Sequence, residues 1–217
     1  MSFSIFAGLA VSIMHYLNQS YFSKLKDMRL VSFSAGVSIA YIFLHMFPQF
    51  TISVGNNKIF FILVLIGFAT FHLVEKYIYK NTKNPKHKLA IEDSIISGLY
   101  HFFTGILLVN FFNLNVLEGL LFTIPIFLHT GVARHPFDIS NHKNIQYVTS
   151  ASTLVGVIIA TYAFRYFHND FFNIILGFVL GALIFTVTRH SLPKEREGEP
   201  LFFLFGALLY SIVLFMF

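Results

Sequence analysis

Apolar runs of bilayer length recur along the chain, separated only by short segments that carry charge or helix breakers. Eight stand out: Phe3–Tyr21, Leu30–Phe50, Ile59–Tyr79, Leu89–Phe112, Val116–His135, Gln146–Phe167, Phe171–Arg189 and Leu201–Phe217. A helix needs about 17–25 apolar residues to cross a hydrocarbon core about 30 Å thick. Lipid offers no hydrogen bonds, so each such run has to satisfy its backbone internally, as a helix does. The separators read KLKDMR, SVGNNK, KNTKNPKHK, NLN, HPFDISNHK, FHND and LPKEREGEP. NLN is short enough to make runs four and five a tight hairpin. Charged residues make up 12% of the chain, against about 25% in a soluble domain. The expectation is one all-α domain over residues 1–217, an integral membrane protein of eight transmembrane helices embedded in the lipid bilayer. The opening MSFSIFAGLAVSIMHYL has neither a basic n-region nor a small-residue cleavage site, so it reads as the first span rather than a removable signal.

Loop charge sets the orientation. The separators after runs one, three, five and seven, with the ends of those runs, hold Lys24, Lys26, Arg29, Lys76, Lys80, Lys83, Lys86, Lys88, Arg134, Lys143, Arg189, Lys194 and Arg196. The remaining connections hold only Lys58 and Arg165. Basic loops stay on the cytoplasmic side, so both termini are expected outside, in a plasma (inner) membrane. The same juxtamembrane lysines account for the sequence pI of about 9.4, and no nucleic-acid partner is expected. The Lys76–Lys88 loop reads as a topology anchor, with lipid or partner binding as the other reading. With no cysteine, disulfides and thiolate metal sites are excluded.

Ionisable and polar groups inside a membrane are costly and mark candidate functional positions. In run four, Asp93, Ser97, Tyr100, His101 and Thr104 fall on one helical stripe about 100° wide. Such a stripe faces the bundle interior or a wet cavity, or else hydrogen-bonds neighbouring helices. In run five, Pro125 removes a backbone donor and is expected to kink the helix before His129. His129 can face the run-four stripe, because the hairpin makes the two helices neighbours. His135 lies about 240° further round the helix and cannot share a ligand face with His129. Arg134 sits near the cytoplasmic end, where its stem can snorkel. His45 and Gln49 are four apart around Pro48, and His72 and Glu75 are three apart. Gly177 and Gly181 form a G-x-x-x-G, where a helix approaches closely from the same chain or from a second copy in a homodimer.

Eight spans, outside termini and a basic loop between runs three and four resemble the ZIP zinc–iron permease family. SFSAGVSIAYIFLHMFPQF is similar to that family's second span, IGFATFHLVEKY to its third and LGALIFTVTRHSLPKERE to its seventh. The resemblance implies a bundle of three, two and three helices, with runs four and five carrying the transport site. There the family places H-N-x-x-D-G and H-E-x-P-H-E. This chain has Tyr100, His101, Phe102, Phe103, Thr104 and Gly105, then His129, Thr130, Gly131, Val132, Ala133 and Arg134. Gly105 and His129 match; the carboxylates are gone, and Arg134 brings positive charge to a glutamate position.

Divalent transition ions want about four N, O or S donors, with carboxylates to offset charge. A replacement metal site would draw on His101 and His129, with Asp93. The resemblance therefore implies a transporter that moves a metal cation, or an altered solute, along Asp93, Ser97, Tyr100, His101, Thr104, His129 and Arg134. A single divalent ion would be substrate, and no cofactor is required. The alternative is a transport-incompetent relative acting as a membrane partner or regulatory protein. An intramembrane hydrolase, for which Asp93, Ser97 and His101 resemble the ceramidase-like superfamily, would also need two histidines four apart. The sequence has none, so no enzyme is expected.

Overall fold

A computed structural model of the protein describes residues 2–20, 27–55, 57–81, 85–132, 143–162, 169–191 and 198–217. Within them there is no strand, and eight helices follow one another: α1 (Ser2–Ser20), α2 (Met28–Val54), α3 (Ile59–Asn81), α4 (Pro85–Leu114), α5 (Val116–Val132), α6 (Lys143–Tyr162), α7 (169–191) and α8 (Pro200–Met216). Local chemistry sets several of their ends. The Asp27 carboxylate accepts the Arg29 N–H at 2.9 Å and starts α2. Asn115 accepts the Glu118 N–H at 2.8 Å and starts α5, the role of a helix N-cap. Pro85 and Pro200 open α4 and α8, where a missing N–H has no partner to lose. α2 stops at Gly55, whose φ of 56° is a conformation that glycine adopts without strain. The Pro85 start puts the first turn of α4 ahead of the expected Leu89 boundary.

Among the described residues, five helices are long and apolar enough to cross a membrane: Met28–Val54, Ile59–Tyr77, Ile96–Leu114, Lys143–Tyr162 and Asp170–Arg189. Val116–Val132 and Pro200–Met216 are apolar but shorter. α1 has the length but buries Ser4, Ser12, His15, Asn18 and Gln19, so its polar face lowers its mean hydropathy. Large apolar side chains cover the outside, among them Phe6, Leu65, Val148, Leu201 and Phe215. An apolar exterior this extensive belongs in lipid. The protein is a membrane protein.

Contacts define the packing. Phe3 of α1 stacks on Phe112 of α4 while His15 packs on His101, so α1 and α4 run antiparallel. Ser53 bonds Asn173, and Phe50 lies against Gly177, which makes α2 and α7 antiparallel. The Arg189 guanidinium meets Glu75 at 2.9 Å, joining the C-terminal ends of α3 and α7 and making that pair parallel. Glu199 N–H donates to Ser32 at the N-terminal ends of α8 and α2, also parallel. Phe111 and Phe122 stack at 4.7 Å across the α4–α5 hairpin.

One crossing is built twice. A Cβ on Gly36 of α2 would overlap the Phe203 carbonyl and lie 2.8 Å from the Ala207 nitrogen of α8. A Cβ on Gly181 of α7 would overlap the Val64 carbonyl and lie 2.7 Å from the Phe68 nitrogen of α3. Gly181 is 145 positions after Gly36, while Phe203 and Ala207 are each 139 after Val64 and Phe68. Two further glycines agree: Gly206 closes on Phe33, and Gly67 closes on Phe178, which is 145 after Phe33. Each long helix then loosens into a π-helical turn at the same register, Ile42–Met46 in α2 and Val187–Ser191 in α7. Because α2 and α7 are antiparallel, the two copies of this arrangement are inverted relative to each other.

Candidate functional site

Inside this apolar bundle the polar side chains gather where α1, α4, α5 and α6 meet. From α1 come His15, Asn18 and Gln19; from α4, Tyr100, His101 and Thr104; from α5, His129 and Thr130; from α6, Thr149 and Thr153. All of them are buried. His15 and Gln19 sit four apart, on one face of α1, with their nitrogens 2.9 Å apart. The Gln19 amide also donates to Thr149 Oγ1 at 3.2 Å. The His15 ring lies on the His101 ring, centroids 4.1 Å apart and tilted by 36°. His101 Nδ1 is 3.3 Å from Thr153 Oγ1. Close helix approach makes these contacts available: Gly105 lies under the Thr153 carbonyl, and Gly156 under the Phe102 carbonyl.

His129 is 2% exposed and meets the Tyr100 ring edge-on at 6.4 Å. The same Tyr100 ring contacts His101 at 5.1 Å, so Tyr100 touches both histidines named as a metal pair. Thr104 donates to the Tyr100 carbonyl at 2.8 Å, a bond within its own helix. Ser97 is half-buried at the edge of the stripe. Arg134 and the Asp93 side chain lie outside the described residues, as does His135. Among the described residues, no three His, Cys, Asp or Glu side chains converge in a way that could hold a metal ion.

Pro125 does not end α5, which runs on to Val132. Its missing N–H releases the Leu121 carbonyl, four residues earlier. Tyr210 of α8 donates to that carbonyl at 2.6 Å. The G-x-x-x-G of α7 is used within the chain, Gly177 against Phe50 and Leu63 and Gly181 against α3.

A second polar group sits at the other end of α5. His45 Nε2 and Glu118 Oε2 are 2.8 Å apart, and the Gln49 amide donates to the same oxygen at 2.8 Å. Both His45 and Glu118 are largely buried. From there Ser34, Ser38 and Tyr41 follow α2 at i, i+4 and i+7, all buried, with hydroxyls that have no hydrogen-bond partner among the described residues.

The motif reading missed His15, Gln19 and Glu118. His15, Asn18 and Gln19, spaced i, i+3 and i+4 at the end of an apolar run, were the available signal in α1. Glu118 had none, because a carboxylate one turn into a helix looks like an ordinary N-terminal charge. No protein-family model matches the chain, and comparison with curated proteins finds no match.

Proposed function

We propose that the chain is a ZIP-like membrane transporter with eight spans packed three, two and three and both termini outside. The path it offers a metal cation, or a solute recognised by imidazole, hydroxyl and amide groups, runs through the core of α4 and α5. The single observation that carries this reading is the inverted repeat of the α2–α8 and α7–α3 crossings, in the same bundle as the buried polar core formed by α1, α4, α5 and α6. Many transporters are built from inverted repeats, with broken helices beside a site near the midplane. Here α2 and α7 carry π-helical turns at matching register, which widen each helix without interrupting it. His101 and His129 are the donors for a passing ion, Tyr100 lies against both rings, and His15 and Thr153 hold the His101 imidazole. A neutral imidazole can bind an ion, accept a proton or hydrogen-bond a solute. Among the described residues of this core the donors are neutral, and Asp93 is the carboxylate that the sequence offers to the same path.

The absence of a convergent metal-ligand group among the described residues favours a second reading, a transport-incompetent partner or regulatory protein. Uptake by proteoliposomes, over a panel of divalent ions and with a proton-sensitive dye inside, separates the two. The expected result is flux in the wild type that His129→Gln abolishes while the protein stays folded. Unchanged flux in His129→Gln removes the site assignment, and a wild type silent across the panel leaves the second reading.

A further inference from the structure

His45 and Gln49 of α2 stand one helical turn apart, and both reach one oxygen at the start of α5, Glu118 Oε2, at 2.8 Å each. The other oxygen, Oε1, accepts no hydrogen bond among the described residues and is not buried. No lysine or arginine among them pairs with Glu118. The His45 side chain is 15% exposed and that of Glu118 20%, so a small ion can reach the group. The core imidazoles are more enclosed, His101 at 4% and His129 at 2%. Glu118 lies 11 positions before His129 on the same helix, about 16 Å along its axis, so the two groups are separate.

The imidazole also stands at a repeated position. His45 is the fourth residue of the π-helical turn Ile42–Met46, and His190 is the fourth of Val187–Ser191. They are 145 positions apart, the spacing of Gly36 and Gly181, and each precedes a proline by three, Pro48 and Pro193. The residues around them differ, Phe43, Leu44 and Met46 against Thr188, Arg189 and Ser191. Such π-helical turns are frequent at functional sites.

The donor set names the ligand. A carboxylate in a membrane-embedded helix without a lysine or arginine partner is costly, and a bound cation relieves that cost. The donors are the His45 nitrogen, the Glu118 carboxylate and the oxygen that Gln49 presents once its amide turns over. Only two are histidine or carboxylate; the amide makes the third. Ions of the zinc class take three protein donors of this kind plus water, at about 2.0–2.2 Å. Two such bonds hold their donors about 3.3 Å apart in a tetrahedral centre, slightly beyond the 2.8 Å between Nε2 and Oε2. An ion there takes the place of the proton between the pair, which Nε2 gives up, as metal binding requires. Copper(I) prefers sulfur, and calcium takes six or more oxygens. We infer that His45, Gln49 and Glu118 form a binding site for one divalent ion of the zinc class, which ties α2 to α5. The site rests on this junction and not on the transport reading, so a wild type silent in the uptake panel leaves it standing.

The test measures zinc affinity of the purified protein in detergent by competition with a zinc-binding dye. Wild type, Glu118→Gln, His45→Gln and His129→Gln are compared, with folding checked by thermal unfolding. Glu118→Gln and His45→Gln should each weaken binding at least about tenfold, since even the groups that support metal ligands cost that much. His129→Gln should leave this site's affinity unchanged, and excess magnesium should not displace the zinc. A wild type that binds no zinc overturns the proposal, and so does wild-type affinity in Glu118→Gln. Zinc binding lost only in His129→Gln assigns the ion to the core and overturns it as well. Should the variants fail to fold, modification of wild-type His45 by diethyl pyrocarbonate reads the same contact; zinc should protect it, and equal modification with and without zinc refutes the site.

Discussion

Tyr210 and Pro125 form a pair in which one residue repairs what the other removes. Proline leaves the Leu121 carbonyl without its helical donor, and the Tyr210 hydroxyl from α8 supplies one at 2.6 Å. A buried carbonyl stripped of its partner costs about 1–3 kcal/mol, while hydrogen bonds between membrane helices average less, about 0.6 kcal/mol. Tyr210→Phe is therefore expected to destabilise the protein by about 1 kcal/mol, read as a lower thermal midpoint in detergent. In a Pro125→Ala background the backbone regains its N–H, and the same Tyr210→Phe change should cost much less. A double-mutant cycle measures that difference. If the cost is the same in both backgrounds, the hydroxyl serves something other than the freed carbonyl.

At the scale of helices, backbone contact decides which glycines are indispensable. Gly36 and Gly181 face backbone atoms of α8 and α3 that cannot rotate away. Gly98, by contrast, would set a Cβ 3.3 Å from the Ser152 hydroxyl and 3.5 Å from a Thr149 methyl, contacts that side chains can relieve. Gly36→Ala and Gly181→Ala should each sharply reduce the yield of monodisperse protein in size-exclusion chromatography. Gly98→Ala should leave it near wild type, because alanine also raises helix propensity by up to about 1 kcal/mol. Similar losses for all three substitutions would mean that helix separation is not set by these backbone contacts.

The whole molecule makes one claim that a labelling experiment can decide. The antiparallel α1–α4 and α2–α7 pairs and the parallel α3–α7 and α2–α8 pairs have helices that alternate in direction, and the charge pattern adds the expectation that the α2–α3 connection lies outside and the end of α3 inside. Since the chain has no cysteine, single substitutions Asn57→Cys and Lys80→Cys can be read without background. In intact cells an impermeant maleimide should label the first and reach the second only after permeabilisation. Labelling of both from the same side would remove the eight-span topology and, with it, the ZIP-like reading.

Helix number, helix class and membrane residence were legible in the sequence, because each depends on local properties. Apolar length makes a helix in lipid, and charge, proline, asparagine and glycine end it. The stripe of Tyr100, His101 and Thr104 was legible too, since positions three and four apart share a face whatever the helix packs against. Its partners were not. Nothing local ties His15 to His101 across 86 positions, or Glu118 to His45; those meetings follow from how whole helices cross. The 145-residue repeat was equally hidden, because Gly36 and Gly181 share a backbone environment while most side chains around them differ. Patterning of single residues therefore determined what this chain is made of and where it resides. Which polar groups share one buried site was decided only by close backbone packing at a few glycines, a property of pairs of helices that one helix alone does not encode.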